Sequence, residues 1–242
     1  MPDGPEAATT HDDEPHESIE ARLNWLRAGV LGANDGIVST AGLVIGVAGA
    51  TSDRTTILTA GVAGLVAGAL SMAAGEYVSV STQRDAQQAL IAKEADELAT
   101  MPDEELSELA ALYERRGLSP DLARQVAEEL TDQDALRAHL DIELGIDPDD
   151  LTSPWQAAGA SAASFTVGAA LPLVAIEVSP DPIRIGVTFV AVVIALALTG
   201  LISSRLGDSE IRQTRAIWRN VIGGALAMGV TYLVGIAIGD VG

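Results

Sequence analysis

The chain contains no cysteine in its 242 residues. That excludes a disulfide framework and a thiolate metal site, so a bound metal has to be held by oxygen, imidazole or thioether ligands. Basic residues are scarce, with 14 Lys and Arg against 34 Asp and Glu and a net charge of -20, and no basic patch suited to nucleic acid occurs. There is no Gly-rich phosphate loop and no nucleophile with a partnered base, which argues against ATP-driven pumping and covalent catalysis. No cleavable leader is expected from residues 1–25, which lack an apolar core before the first span. Residues 1–22 are polar and acidic without an apolar core, and are expected to form a disordered tail in which His11 and His16 are solvated.

What is present divides the chain in two. It is 48% hydrophobic with mean hydropathy +0.28, values at odds with such a charge unless apolar and acidic residues occupy different regions. Five apolar runs, about 26–50, 55–80, 156–178, 184–205 and 216–239, are each long enough as helices to cross some 30 Å of hydrocarbon. Gly and Pro recur within them, including Pro172, as membrane helices tolerate. The pairs Gly32/Gly36, Gly42/Gly46 and Gly64/Gly68 predict close helix packing. The expected fold is all-α, a polytopic membrane protein with five transmembrane helices and a three-helix domain inserted between helices 2 and 3. Its segments are a tail (1–22), helices 1–2 (23–80), an acidic domain (81–153) and helices 3–5 (154–242). Lys and Arg fall mostly in the N-terminal flank, in 80–155 and in the loop from Arg205 to Arg219, leaving Arg54 and Arg184 on the other side. That asymmetry predicts a cytoplasmic N-terminus and a cytoplasmic acidic domain.

Asp35 lies inside the first apolar run, and Met72 and Glu76 close the second. A carboxylate at membrane depth is expensive and reads first as part of an ion path. At 1.5 Å per residue, Asp35 and Met72 are both expected at roughly 12–15 Å depth, where they can meet. Met72 and Glu76 are four apart and share a helix face, and a thioether among carboxylates disfavours Ca²⁺ and Mg²⁺.

Segment 81–153 has ordinary helix signals: a continuation of the second span through Ala99, Pro102 opening a helix that ends at Gly117, Ser119-Pro120 opening another, and Gly145 closing the last. Its carboxylates are spaced for a cluster. Glu94 and Glu97 are three apart, Glu105 and Glu108 repeat that spacing, and Glu143 follows His139 by one turn. Folded against one another, such pairs suit Fe²⁺ or Mn²⁺; left apart, they form a solvated acidic face.

The ordered set Asn34-Asp35-Gly36, the stretch S-M-A-x-G-E-Y-V-S-V from Ser71 to Val80, the Glu-paired hairpin and S-P-W-Q-A-A from Ser153 to Ala158 resembles the vacuolar iron transporter family, from about Leu23 to the C-terminus. The resemblance implies a homodimer of five-helix protomers with an ion path along the dimer interface. Asp35, Met72 and Glu76 match its path residues, and Glu94, Glu97, Glu105, Glu108 and Glu143 match the glutamates of its cytoplasmic metal-binding domain. One departure is visible: where eukaryotic members carry methionines a turn before the last glutamate, this chain reads His139-Leu140.

The expected function is transport of a divalent metal, Fe²⁺ or Mn²⁺ with Zn²⁺ accepted in vitro, by proton-coupled antiport out of the cytoplasm. The expected setting is a prokaryotic plasma membrane. The partners are the lipid bilayer, a second copy of the chain, metal ions and protons; no permanent cofactor, enzymatic activity or nucleic acid is expected. The alternatives are a membrane-anchored metal-binding scaffold and a di-iron protein. The latter lacks the E-x-x-H motifs such proteins carry, none of which occurs in 81–153.

Overall fold

The computed structural model describes residues 19–205 and 210–239, with side chains for 29–203 and 214–239. The predicted tail lies outside these as far as residue 18, and with it His11 and His16. All described elements are helical. They are α1 (Ile19–Ala50), α2 (Arg54–Thr100), α3 (Pro102–Arg115), α4 (Pro120–His139) with a π-helical turn Leu140–Leu144, α5 (Pro154–Val178), α6 (Arg184–Arg205) and α7 (Glu210–Gly239). Residue 19 already belongs to α1, inside the segment expected to be tail, and Arg212 and Arg215 stand on α7 where a loop was expected.

The described residues form two compact units, those within 19–70 and 161–239, and residues 71–160. Five helices carry stretches long and apolar enough to cross a membrane: Gly29–Ala50, α2, α5, Arg184–Ser203 and Thr214–Gly239. With its five apolar helices the chain is an integral membrane protein.

Within the first unit, α1 packs on α6 and α7, and α6 on α7. Their shared core holds Ile37, Ala41, Val44, Ile45, Ile57, Leu173, Ile176, Val192, Leu196 and Met228. The predicted glycine pairs do what small residues do in membranes, letting backbones approach. A Cβ built at Gly168 would overlap the Ala33 carbonyl oxygen, and one at Gly36 the Phe165 carbonyl oxygen, so α1 and α5 cross backbone to backbone. A Cβ at Gly235 would overlap the Gly46 carbonyl oxygen, so α7 meets α1 in the same way. Pro172 does not break α5. Outward stripes such as Val62, Val66 and Leu70, or Val190, Ile194 and Leu198, are exposed and apolar, as a hydrocarbon surround requires.

At one end of this unit, Arg54 bridges to Asp181 at 2.8 Å and donates to the Glu177 carbonyl at 2.8 Å. Arg184 also pairs with Asp181. The two basic residues set apart by charge asymmetry therefore share one carboxylate and tie the α1–α2 connection to the α5–α6 connection.

The second unit begins within α2. A 47-residue helix is about 70 Å long, more than twice the hydrocarbon thickness, so its polar last third extends well past the apolar run, as the absence of a breaker after Val80 predicts. The chain then turns into α3 and α4, which pack around Leu109, Ala110, Ala127 and Ile142. Gly117 and Gly145 close their helices at φ 102° and 61°, a conformation that glycine enters without strain. In the same unit, the Tyr77 and Trp155 rings lie 4.7 Å apart between centroids, tilted by 51°. The Ser71–Val80 and Ser153–Ala158 motifs, far apart in sequence, thus touch.

Candidate metal centre

Three elements of the second unit bring one side chain each to a common point. Glu94 comes from the polar end of α2, Glu105 from the first turn of α3 and His139 from the last residue of α4; all three are buried. One ligand atom from each lies within 4.8 Å of the others. His139 Nδ1 is 2.9 Å from Glu94 Oε1, 3.7 Å from Glu105 Oε2 and 3.7 Å from Glu143 Oε2.

Two backbone departures put His139 there. Asp134, in the middle of α4, is extended at φ -162° and ψ 90°, and its Oδ1 accepts the Arg137 N–H at 3.0 Å, which restarts the helix with an N-cap. After His139 the chain opens into the π turn. There Gly145 reverses the backbone, the Ile146 N–H returns to the Leu140 carbonyl at 2.9 Å, and Arg116 donates to the Ile142 carbonyl at 3.3 Å. Glu143, expected on a regular helix, stands on this wider turn, of a type frequent at functional sites.

The short Glu94–His139 distance is not a hydrogen bond. Glu94 Oε1 and both ring nitrogens of His139 are buried without a hydrogen-bond partner. Leaving one such group unpaired costs about 1–3 kcal/mol, and here three atoms of two side chains are unpaired at one spot. Burial, and after it the charge of Glu143, pushes the Glu94 carboxyl above its ordinary value. Burial, and after it Glu108, does the same to Glu105. A divalent cation between Glu94 Oε1 and His139 Nδ1 would give those two atoms a partner and offset the repulsion among the carboxylates.

The other predicted residues are placed as follows. Glu97 is half-buried and turned to Lys93, whose Nζ lies 2.6 Å from its carboxylate. Lys93 was missed as a partner, although its i,i+4 spacing to Glu97 signals the pair. Glu108 is exposed, close enough to raise Glu105 but outside the buried trio. Met72 and Glu76 are both half-buried on α2. Asp35, in the first unit, is exposed on a stripe of α1 with Leu31 and Ser39. Its neighbour Asn34 faces the bundle, with Oδ1 accepting from Thr199 Oγ1 at 3.2 Å. Asp35 belongs to one unit and Met72 and Glu76 to the other.

Five membrane-length apolar helices and, in the second unit, a buried carboxylate–imidazole cluster drawn from α2, α3 and α4 define an integral membrane protein with a candidate metal centre. The sequence model of the VIT family matches residues 26–236, and the chain belongs to that family. It is 41% identical over 225 residues to a vacuolar iron transporter of Acanthamoeba castellanii, covering 93% of this chain and 82% of that protein. It is 39% identical over 213 residues to vacuolar iron transporter homolog 1 of Oryza sativa subsp. japonica (88% and 73% covered). It is 37% identical over 222 residues to vacuolar iron transporter homolog 1 of Arabidopsis thaliana (91% and 86% covered).

Proposed function

We propose that this protein carries Fe²⁺, and Mn²⁺ as a second substrate, across a membrane in exchange for protons, removing metal from the cytoplasm. The observation that carries the reading is the buried trio Glu94, Glu105 and His139 with its unpaired atoms, in a chain of five apolar helices related to proteins named iron transporters. The trio, with Glu143 at its edge and Glu97 and Glu108 outside it, loads the ion on the cytoplasmic side. Glu76, Met72 and Asp35 then pass it through the membrane. Support for a homodimer comes from Asp35 itself. A carboxylate exposed at the side of a single apolar bundle is costly in lipid, and a second copy facing it supplies a polar seam and a matching ligand. Proton exchange follows from competition, since a bound cation lowers a carboxyl pKa that desolvation raises.

The test is uptake into proteoliposomes holding a metal-sensitive dye and a pH dye. Fe²⁺ and Mn²⁺ should enter faster than into empty vesicles, and an imposed proton gradient should accelerate them while it collapses. Metal entry with no proton movement would replace antiport by facilitated passage.

A further inference from the structure

His139 is the one histidine among the described residues, the other two of the chain being His11 and His16. Its ring is fully buried and neither nitrogen is hydrogen-bonded, yet Nδ1 faces three carboxylates at 2.9 to 3.7 Å. A neutral imidazole with its proton on Nε2 directs a lone pair from Nδ1 into that space. Carboxylates alone form a hard oxygen site, which Mg²⁺, Ca²⁺ and Mn²⁺ accept readily. An imidazole nitrogen adds affinity in the order Mn²⁺, Fe²⁺, Co²⁺. Burial works in the same direction. Ca²⁺ takes 6–8 oxygen ligands, and the two buried carboxylates beside His139, with Glu143 at the margin, offer fewer.

We propose that His139 is the specificity-determining residue of this cluster, selecting later first-row divalent ions such as Fe²⁺, Co²⁺ and Zn²⁺ over Mn²⁺, Mg²⁺ and Ca²⁺. The inference rests on the reading of the cluster as a metal site and adds to it what that site prefers and why. A nitrogen among carboxylates makes the site a filter as well as a loading point.

The experiment uses the full chain in detergent micelles with His11→Asn and His16→Asn, so that His139 is the only imidazole. Air-stable Co²⁺ stands for the later ions, and Mn²⁺ for the harder ones. Calorimetry should give Co²⁺ binding tighter than Mn²⁺ by about tenfold or more. His139→Gln, which exchanges the nitrogen for an amide oxygen, should cut that ratio by about tenfold, chiefly by weakening Co²⁺. Pulsed electron paramagnetic resonance of bound Mn²⁺, with His139 intact, should show coupling to a ligating nitrogen, a readout that does not depend on the variant folding. An unchanged Co²⁺/Mn²⁺ ratio in a folded His139→Gln, or absent nitrogen coupling, overturns the selector role. If Glu94→Gln with Glu105→Gln still abolishes binding in that case, the carboxylate site stands without its filter. If that double variant binds Co²⁺ like the parent, the metal-site reading falls, and the selector role with it.

Discussion

Glu94 is a carboxylate nearly shut off from water, beside two others and an imidazole that gives it no hydrogen bond. Its carboxyl is raised in the folded state, by burial first, so ionising it costs more in the fold than in the unfolded chain. The sign follows from linkage. Between its ordinary value and its raised one the folded state binds more protons than the unfolded one, and metal-free stability falls as pH rises through that interval. Glu94→Gln should therefore stabilise the metal-free protein at pH 7, the gain should shrink as pH approaches 5, and stabilisation by added Co²⁺ should be lost. Thermal unfolding with and without metal at the two pH values measures all three; a variant less stable than its parent at pH 7 would mean that Glu94 is paired after all. Asp134 acts by position. Asp134→Ala removes the cap that restarts α4 and should cost about 0.5–2 kcal/mol while weakening Co²⁺ binding, because the segment it orients ends at His139.

Among elements, the helices were the most legible part of the sequence, and for definite reasons. Apolar runs longer than the hydrocarbon is thick have one stable form in lipid, and Pro102, Pro120 and Pro154 with Gly117 and Gly145 mark helix ends by backbone restriction. The continuation of α2 past Val80 was readable from the missing breaker. The kink at Asp134 and the π turn after His139 were not, because an Asp within a helical run reads as an ordinary surface residue and no residue type in 140–144 signals a wider turn. Such details depend on where each side chain comes to lie in the fold, which sequence spacing does not carry. For the same reason the five glutamates, alike in sequence, divide in space: two are buried, Glu143 stands at the margin, Glu97 is held by Lys93 and Glu108 faces solvent. The glycine pairs were legible as packing sites, though which helices they join was not. Gly168→Val should force α5 away from the Ala33 carbonyl and cost at least the roughly 1–3 kcal/mol of an overpacked core. Gly75→Ala, where a Cβ meets nothing, should leave stability nearly unchanged. Parallel melting of the two variants in detergent checks the contrast, and equal losses would contradict it.

For the molecule as a whole, family membership and five membrane-length helices were readable because they are written in order and length along the chain. In the proposed function the ion path is completed by a second copy in the bilayer, and sequence spacing points to it only through carboxylates placed where lipid makes them costly. The proposal stands on Asp35 being one of those carboxylates. The most direct measurement is Fe²⁺ flux into proteoliposomes by the unaltered protein and by Asp35→Asn, a change that removes the charge and keeps the size. With the variant folded to the same elution profile and melting temperature, flux should fall to the level of empty vesicles while Co²⁺ binding at the Glu94–Glu105–His139 cluster persists. Proton-coupled Fe²⁺ entry through Asp35→Asn at the parent's rate would contradict it.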